Sequence, residues 1–92
     1  MALVIITLKI MPKSPDVNLD KLKEKIKEKI KNFFGETETK EEIEPVAFGL
    51  SALKIIFVMD EEKGDTEKLE EEIKNLEEVN SVEVVDVRRA LG

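Results

Sequence analysis

The apolar residues of the chain repeat with a period of two in some stretches and of three to four in others. From Ala2 to Met11 they alternate, which is typical of a β-strand. The intervening positions are largely apolar as well, so we expect this strand to lie at the centre of a sheet. The loop "PKSPDVN" follows, and its two prolines end the strand.

A helix is predicted from Leu19 to Phe34, because apolar residues recur there at spacings of three and four. Asn18 is the expected N-cap, with Val17 and Leu22 placed as a hydrophobic staple around it. Gly35 supplies the end of the helix. The predicted apolar stripe consists of Leu19, Leu22, Ile26, Ile30 and Phe33.

The middle of the chain predicts two strands of different character joined by a hairpin. Thr37 to Ile43 is mostly charged, which is typical of a sheet edge, because charge there discourages unwanted pairing. Leu50 to Met59 is almost entirely apolar and predicts a second central strand. A turn centred near Ala47–Gly49 joins the two.

The last third predicts a second helix from about Thr66 to Glu77, capped by Asp65, and a final strand from Val82 to Arg88. The order of elements is therefore β-α-β-β-α-β. This order predicts an α+β protein with the ferredoxin-like fold, in which a four-stranded antiparallel sheet of order 4-1-3-2 carries both helices on one face. We expect residues 1–92 to form a single domain.

Composition removes several classes of function. The chain contains no cysteine and no histidine, which excludes thiolate nucleophiles, Ser-His-Asp triads and zinc sites built from these residues. Its net charge of −6 opposes direct binding to nucleic acid. The acidic runs lack the ligand spacing of a calcium loop. We therefore expect no metal site, no cofactor and no covalent chemistry.

Neither the termini nor the fold names a function. The apolar N-terminal stretch is shorter than the roughly 20 residues that cross a bilayer and has no secretory-signal pattern, so we expect a cytoplasmic protein without a membrane-bound part. The predicted fold hosts many activities. The chain lacks the Cys-x-x-Cys of its metal-transfer version and the glycine-rich, arginine-containing loop of its acylphosphatase version. Its RNA-binding version stacks bases on aromatic residues of the central strands, which here hold only Phe57.

Two features stand apart from this pattern. Phe48 and Gly49 lie in the predicted hairpin, where Phe48 either folds back to cap the core or is exposed for contact; the residues alone leave both open. Arg88 and Arg89 are the only arginines of the chain and are adjacent. They are either an ordinary chain end or a pair of rigid, always-charged donors with a binding role.

Three segments resemble one protein family. They are "KIMPKSPDVNLDKLKEKI", "EPVAFGLSALKI" and "VNSVEVVDVRRALG", and together the match runs nearly end to end. The chain resembles the archaeal elongation factor 1-beta family, whose members are guanine nucleotide exchange factors for elongation factor 1-alpha. The resemblance implies a ferredoxin-like fold, release of GDP from that GTPase, and a factor that is monomeric when free.

The resemblance also assigns candidate residues. In eukaryotic relatives a lysine near the C-terminus reaches the magnesium and phosphate region of the GTPase, and Arg89 stands at the matching position, with the charge kept but the shape changed. Phe48 matches a phenylalanine that contacts the partner. The expected partner-binding residues are therefore Phe48, Gly49, Arg88 and Arg89. A ferredoxin-like regulatory or oligomerisation module without exchange activity is the alternative that the sequence leaves open.

Overall fold

A computed structural model describes residues 2–90, and these form the predicted order β-α-β-β-α-β. One element was not predicted, a single turn of 3-10 helix at Glu61–Lys63. The strands are β1 (Leu3–Pro12), β2 (Thr39–Pro45), β3 (Ser51–Asp60) and β4 (Val79–Arg89), the helices are α1 (Leu19–Phe34) and α2 (Glu67–Lys74), and the 3-10 turn is Glu61–Lys63.

The strands form one antiparallel sheet in the order β2-β3-β1-β4. Read from the other edge, this is the predicted order 4-1-3-2, which is thereby confirmed. The apolar strands β1 and β3 lie at the centre. Because neighbours run in opposite directions, the start of β1 and the ends of β3 and β4 meet at one end of the sheet, which we call the arginine end. The turn between β2 and β3 and the loop after β1 lie at the other end, the hairpin end.

The hydrophobic core lies between one face of the sheet and both helices. Alternate residues of β1 and β3 supply the sheet side, and Phe57 is fully buried with its ring stacked on Phe34 at 5.8 Å between centroids. Phe34, rather than the predicted Phe33, therefore completes the buried stripe of α1, and Phe33 is only half-buried. The opposite face, called the open face, is not covered by any helix of residues 2–90.

Both predicted ends of α1 are confirmed. The side chain of Asn18 accepts a hydrogen bond from the backbone N–H of Lys21 at 3.1 Å, which satisfies one of the free donors of the first turn. Gly35 has φ +81°, and its N–H donates to the carbonyl of Lys31. Glycine reaches this conformation without the steric penalty of a Cβ atom, so the helix ends where the sequence predicts.

β1 and β3 each lie one residue later than predicted, and the limits of three other elements differ by more. β2 begins at Thr39 rather than Thr37, because the Thr37 hydroxyl donates to the carbonyl of Val58 and ties this segment to β3 through a side chain instead of the backbone ladder. The predicted α2 is too long: the chain leaves the helix in tight turns, in which the N–H of Leu76 donates to Ile73. β4 consequently starts earlier, at Val79, which is buried.

The predicted cap of α2 is wrong by one residue. Thr66, not Asp65, directly precedes the helix, and its buried hydroxyl donates to the carboxylate of Glu70 at 2.7 Å. Asp65 still accepts a hydrogen bond from the N–H of Glu67 at 3.1 Å, so it supports the same turn from one position earlier.

Candidate functional site

The turn between β2 and β3 has an unusual backbone. Phe48 has φ +54° and Gly49 has φ +76°, and the turn is closed by the N–H of Leu50, which donates to the carbonyl of Ala47 at 2.9 Å. Positive φ at both central residues is the pattern of a type I′ hairpin turn, which favours Asn-Gly. Gly49 adopts this conformation freely, because glycine has no Cβ atom. A phenylalanine with positive φ is a true outlier.

The same turn exposes the Phe48 side chain completely. Phe48 is 97% exposed, so the interpretation of this residue as a cap on the core is wrong. Ile43 and Val46, which precede it, are exposed as well. A Cβ atom on Gly49 would lie 3.9 Å from the ring of Pro15, which places the turn beside the loop after β1. The hairpin end therefore presents an aromatic ring with two aliphatic neighbours to solvent.

The two arginines lie at the end of β4 and point to different sides of the sheet. A β-bulge precedes them: Leu8 pairs with Val84 and Thr7 with Asp86, so Val85 is an extra residue without a partner on β1. Beyond the bulge, Arg88 pairs with Ile5 on the open face. Arg89 pairs with Val4, whose side chain packs against the core. Successive residues of a strand alternate in direction, so Arg89 lies on the helix-covered side.

Each arginine contacts one carboxylate. The Arg88 Nε lies 2.9 Å from the Asp86 Oδ2, and the Arg89 Nη2 lies 2.9 Å from the Glu61 Oε1. Glu61 begins the 3-10 turn after β3. Both arginine side chains are more than two-thirds exposed. Their charge is therefore available at the surface in spite of these contacts.

The candidate residues form two sites at opposite ends of the sheet rather than one. β3 connects the two ends, and its ten residues span about 30 Å at the usual rise of a strand. The long dimension of the molecule is 42 Å. The separation that the strand order predicts is thus present, and a single small ligand cannot contact Phe48 and Arg89 together.

The surface between the two sites carries a close ion pair. On the open face of β3, the Lys54 Nζ lies 2.6 Å from the Glu44 Oε2. The hydrogen bond that Lys54 donates lowers the pKa of the Glu44 carboxyl, and the same bond raises the pKa of Lys54. Within residues 2–90, no group of three or more acidic side chains is placed to hold a metal ion, and no helix is long and apolar enough to cross a membrane.

The bulge at Val85 and the contacts of the arginines with Asp86 and Glu61 were not predicted from the sequence. A signal for the bulge exists, because the apolar alternation Val82, Val84 slips by one residue to Val85, Val87. No comparable signal marks Glu61. It is separated from Arg89 by 28 positions, and the sequence does not distinguish it from the other acidic residues among the 21 of the chain.

Comparison with known proteins decides the family. The model of the family described as the EF-1 guanine nucleotide exchange domain matches residues 5–90. The chain belongs to this family. It is 44% identical to elongation factor 1-beta of Methanothermobacter thermautotrophicus, over 96% of this chain and 97% of that protein. It is 47% identical to elongation factor 1-beta of Methanobrevibacter smithii, over 96% of this chain and 97% of that protein. It is 42% identical to elongation factor 1-beta of Methanocaldococcus jannaschii, over 98% of this chain and all of that protein.

Two solved structures have a fold similar to that of this chain. The de novo designed protein Foldit4 matches with a TM-score of 0.63 at 22% identity, over 98% of each chain. BlrP1 BLUF matches with a TM-score of 0.57 at 14% identity, over all of this chain and 57% of the other. At such identities the likeness concerns the fold alone. Residues Leu91 and Gly92 of the C-terminal motif lie outside the described part of the chain.

Proposed function

We propose that this chain is a nucleotide exchange factor that promotes replacement of GDP by GTP on elongation factor 1-alpha during protein synthesis. The family match supports the activity. The observation that carries the assignment to residues is Phe48, an aromatic ring that is 97% exposed on a backbone of positive φ. Such a residue destabilises the free protein, so its value lies in what it contacts.

An exchange factor breaks no covalent bond and acts by differential binding. A GTPase holds its nucleotide through phosphate contacts and a bound magnesium ion. A factor that binds the nucleotide-free state more tightly weakens nucleotide binding by the same factor, because the coupling between the two ligands is reciprocal. A thousandfold acceleration of release requires about 4 kcal/mol of differential stabilisation. A few well-buried contacts supply energies of this size.

The two ends of the sheet have different tasks in this proposal. Phe48, presented by Gly49, anchors the factor in an apolar pocket of the GTPase, and full burial of such a side chain contributes about 1.5–3 kcal/mol. Arg88 and Arg89 bring positive charge to the region of the magnesium ion and the phosphates, where it disfavours the metal. Because the sites are about 30 Å apart, the partner must offer two separate surfaces, as a multi-domain GTPase does.

The free factor acts as a single, monomeric domain in the cytoplasm under this proposal. The exposed edge of β2 supports the monomer, since its open-face residues Lys40, Glu42 and Glu44 place charges along the strand. Charged edges discourage pairing with a second sheet. A regulatory or oligomerisation module would instead self-associate and leave GDP release unchanged, and sedimentation at the assay concentration separates the two.

Release of fluorescent GDP from loaded elongation factor 1-alpha tests the function directly. Wild type should accelerate release. Phe48→Ala should raise the half-saturating concentration at least about tenfold, since it removes most of the burial energy of the ring. Arg89→Ala should lower the rate at saturation. Lys74→Ala, which removes one exposed charge from the end of α2, is the matched control and should act like wild type. If both site variants are folded and fully active, the residue assignment is wrong.

A further inference from the structure

The two arginines of β4 are each held at one nitrogen by a carboxylate of the same chain. Arg88 uses its Nε toward Asp86, and Arg89 uses one terminal nitrogen toward Glu61. We infer that Asp86 and Glu61 are positioning residues, which orient the two guanidinium groups before the GTPase binds. This inference rests on the proposed function for its consequence in exchange, but the ordering itself is a property of the free protein.

Glu61 is fixed by the backbone around it. Its N–H donates to the carbonyl of Ala2 at 2.9 Å, and the next residue is bonded to the side chain of Asp60 at 2.9 Å. On the other side of β1, the N–H of Ala90 donates to the carbonyl of Leu3 at 2.9 Å. Glu61 and Arg89 therefore reach each other across the start of β1 from two anchored segments. The backbone that carries the Glu61 carboxylate is therefore held in place on one side of β1, and the strand that carries Arg89 is held on the other.

The bulge at Val85 determines on which face of the sheet Asp86 lies. Asp86 pairs with Thr7 and Arg88 with Ile5, so both side chains lie on the open face two residues apart. In a regular ladder continuing from the Leu8–Val84 pair, each residue after Val84 would face the opposite side. Arg88 would then lie on the helix side and Arg89 on the open face. The bulge thus decides which of the two arginines lies on each side of the sheet, and each side supplies its own carboxylate.

Among the described residues, these contacts engage only a minority of the donor groups. A guanidinium carries five N–H donors in a rigid fork, and each of these two ion pairs engages one nitrogen. The remaining edge of each arginine can bind a phosphate or carboxylate of the partner while the first contact persists. A side chain that is already ordered loses less entropy on binding, which is the general benefit of preorganisation. Positioning, rather than competition, is therefore the role that the geometry favours.

Nuclear magnetic resonance tests the ordering without any partner. The chain has two arginines, so the side-chain Nε–H region contains two arginine signals. Both should show restrained motion on the nanosecond timescale in wild type. Glu61→Gln should loosen the Arg89 signal alone, and Asp86→Asn the Arg88 signal alone. Two mobile signals in wild type, or loosening of both by either substitution, would overturn the inference.

Double-mutant cycles in the GDP-release assay test the consequence. Glu61→Gln should weaken stimulated release about two- to fivefold, the range of exposed ion pairs. It should cause no further loss in an Arg89→Ala background, because it acts through that arginine. In an Arg88→Ala background it should retain its full effect, which makes the crossed pair the matched control. Asp86→Asn should behave in the mirrored way with Arg88.

The outcomes separate this inference from the proposed function. If wild type accelerates release and Glu61→Gln is equally active, or more active, the carboxylate does not position Arg89 and the inference fails alone. An effect of Glu61→Gln that persists in Arg89→Ala would show a purely structural role, with the same result. If wild type does not accelerate release, the proposed function fails, while the resonance measurements still decide the ordering.

Discussion

Replacement of Phe48 by asparagine should stabilise the free protein and impair its action on the GTPase. The backbone at this position has φ +54°, followed by Gly49 at φ +76°. For an L-residue with a bulky side chain, the left-handed region is unfavourable by roughly 1–2 kcal/mol. Asparagine tolerates this region, and Asn-Gly is the preferred pair for such a turn. The ring is 97% exposed, so its removal sacrifices almost no packing in the free protein.

The expected gain in stability follows from the conformational penalty at Phe48 and from the exposure of its ring. If asparagine recovers about half of the conformational penalty, the free energy of unfolding rises by about 0.5–1 kcal/mol. For a chain of this size, 1 kcal/mol shifts Tm by roughly 4–8 °C, so we expect an increase of about 2–8 °C. Urea titration at fixed pH gives the free energy, and an unchanged slope with denaturant shows that the folded state is intact.

Loss of the aromatic ring should weaken binding to the GTPase, although it stabilises the free protein. Without burial of the ring, binding to elongation factor 1-alpha weakens by about 1.5–3 kcal/mol, which corresponds to roughly a 10- to 150-fold higher half-saturating concentration. The two effects together distinguish a residue kept for contact from one kept for folding. A Phe48→Asn variant that is less stable than wild type would refute the reasoning, because the ring would then contribute packing that the structure does not contain.

Gly49 provides the control for the backbone argument. Gly49→Ala places a Cβ atom on a residue of φ +76° and leaves the neighbouring ring in place. It should therefore lower the free energy of unfolding by about 1–2 kcal/mol. If Gly49→Ala is neutral, the turn does not have the positive-φ conformation, and the stabilisation expected for Phe48→Asn loses its basis.

Three further predictions concern stability. Phe57→Ala removes a fully buried ring that stacks on Phe34 and should lower the free energy of unfolding by about 3–5 kcal/mol, as measured in urea. Asn18→Ala removes the N-cap of α1 and should lower it by about 1 kcal/mol, with a reduced Tm in thermal unfolding. The hydrogen bond donated by Lys25 lowers the pKa of Glu78 below its usual 4.5. Because this pKa is lower in the folded state than in the unfolded state, the ionised carboxyl stabilises the folded protein above the unfolded pKa. This stabilisation is lost as pH falls through the folded pKa. Glu78→Gln should thus be less stable than wild type at pH 7, and the difference measured in urea titrations should vanish as pH falls below the folded pKa of Glu78.

The fold was predictable because its determinants are local. Periodicity marks α1 and the two central strands, and the cap at Asn18 and the stop at Gly35 fix the helix to the residue. The short and polar elements were less accurate. Thr37 joins the sheet through its hydroxyl, and α2 ends in tight turns after Lys74, and neither event leaves a mark on the apolar pattern.

The exposure of Phe48 was not predictable from the residues themselves. Whether a turn residue folds inward depends on the φ of the turn and on where the flanking strands stop pairing, here at Pro45 and Ser51. The side of the sheet on which each arginine lies depends in the same way on the register between β4 and β1. A one-residue slip reverses every later side chain. The slip at Val85 is visible in the sequence, but its consequence for Arg88 and Arg89 requires the pairing with β1.

The separation of the two candidate sites gives the sheet a mechanical role in the proposed exchange. Phe48 and Arg89 lie at opposite ends of a sheet whose central strands β1 and β3 are paired along eight positions. A paired sheet holds a fixed spacing, whereas a flexible connection of similar length would spread the second group over a large volume. Under the proposed function, seating of Phe48 confines the arginines to one region of the GTPase surface, and the binding energy of the ring is used to place charge beside the nucleotide. The carboxylates at Glu61 and Asp86 extend this placement from the strand to the guanidinium groups themselves.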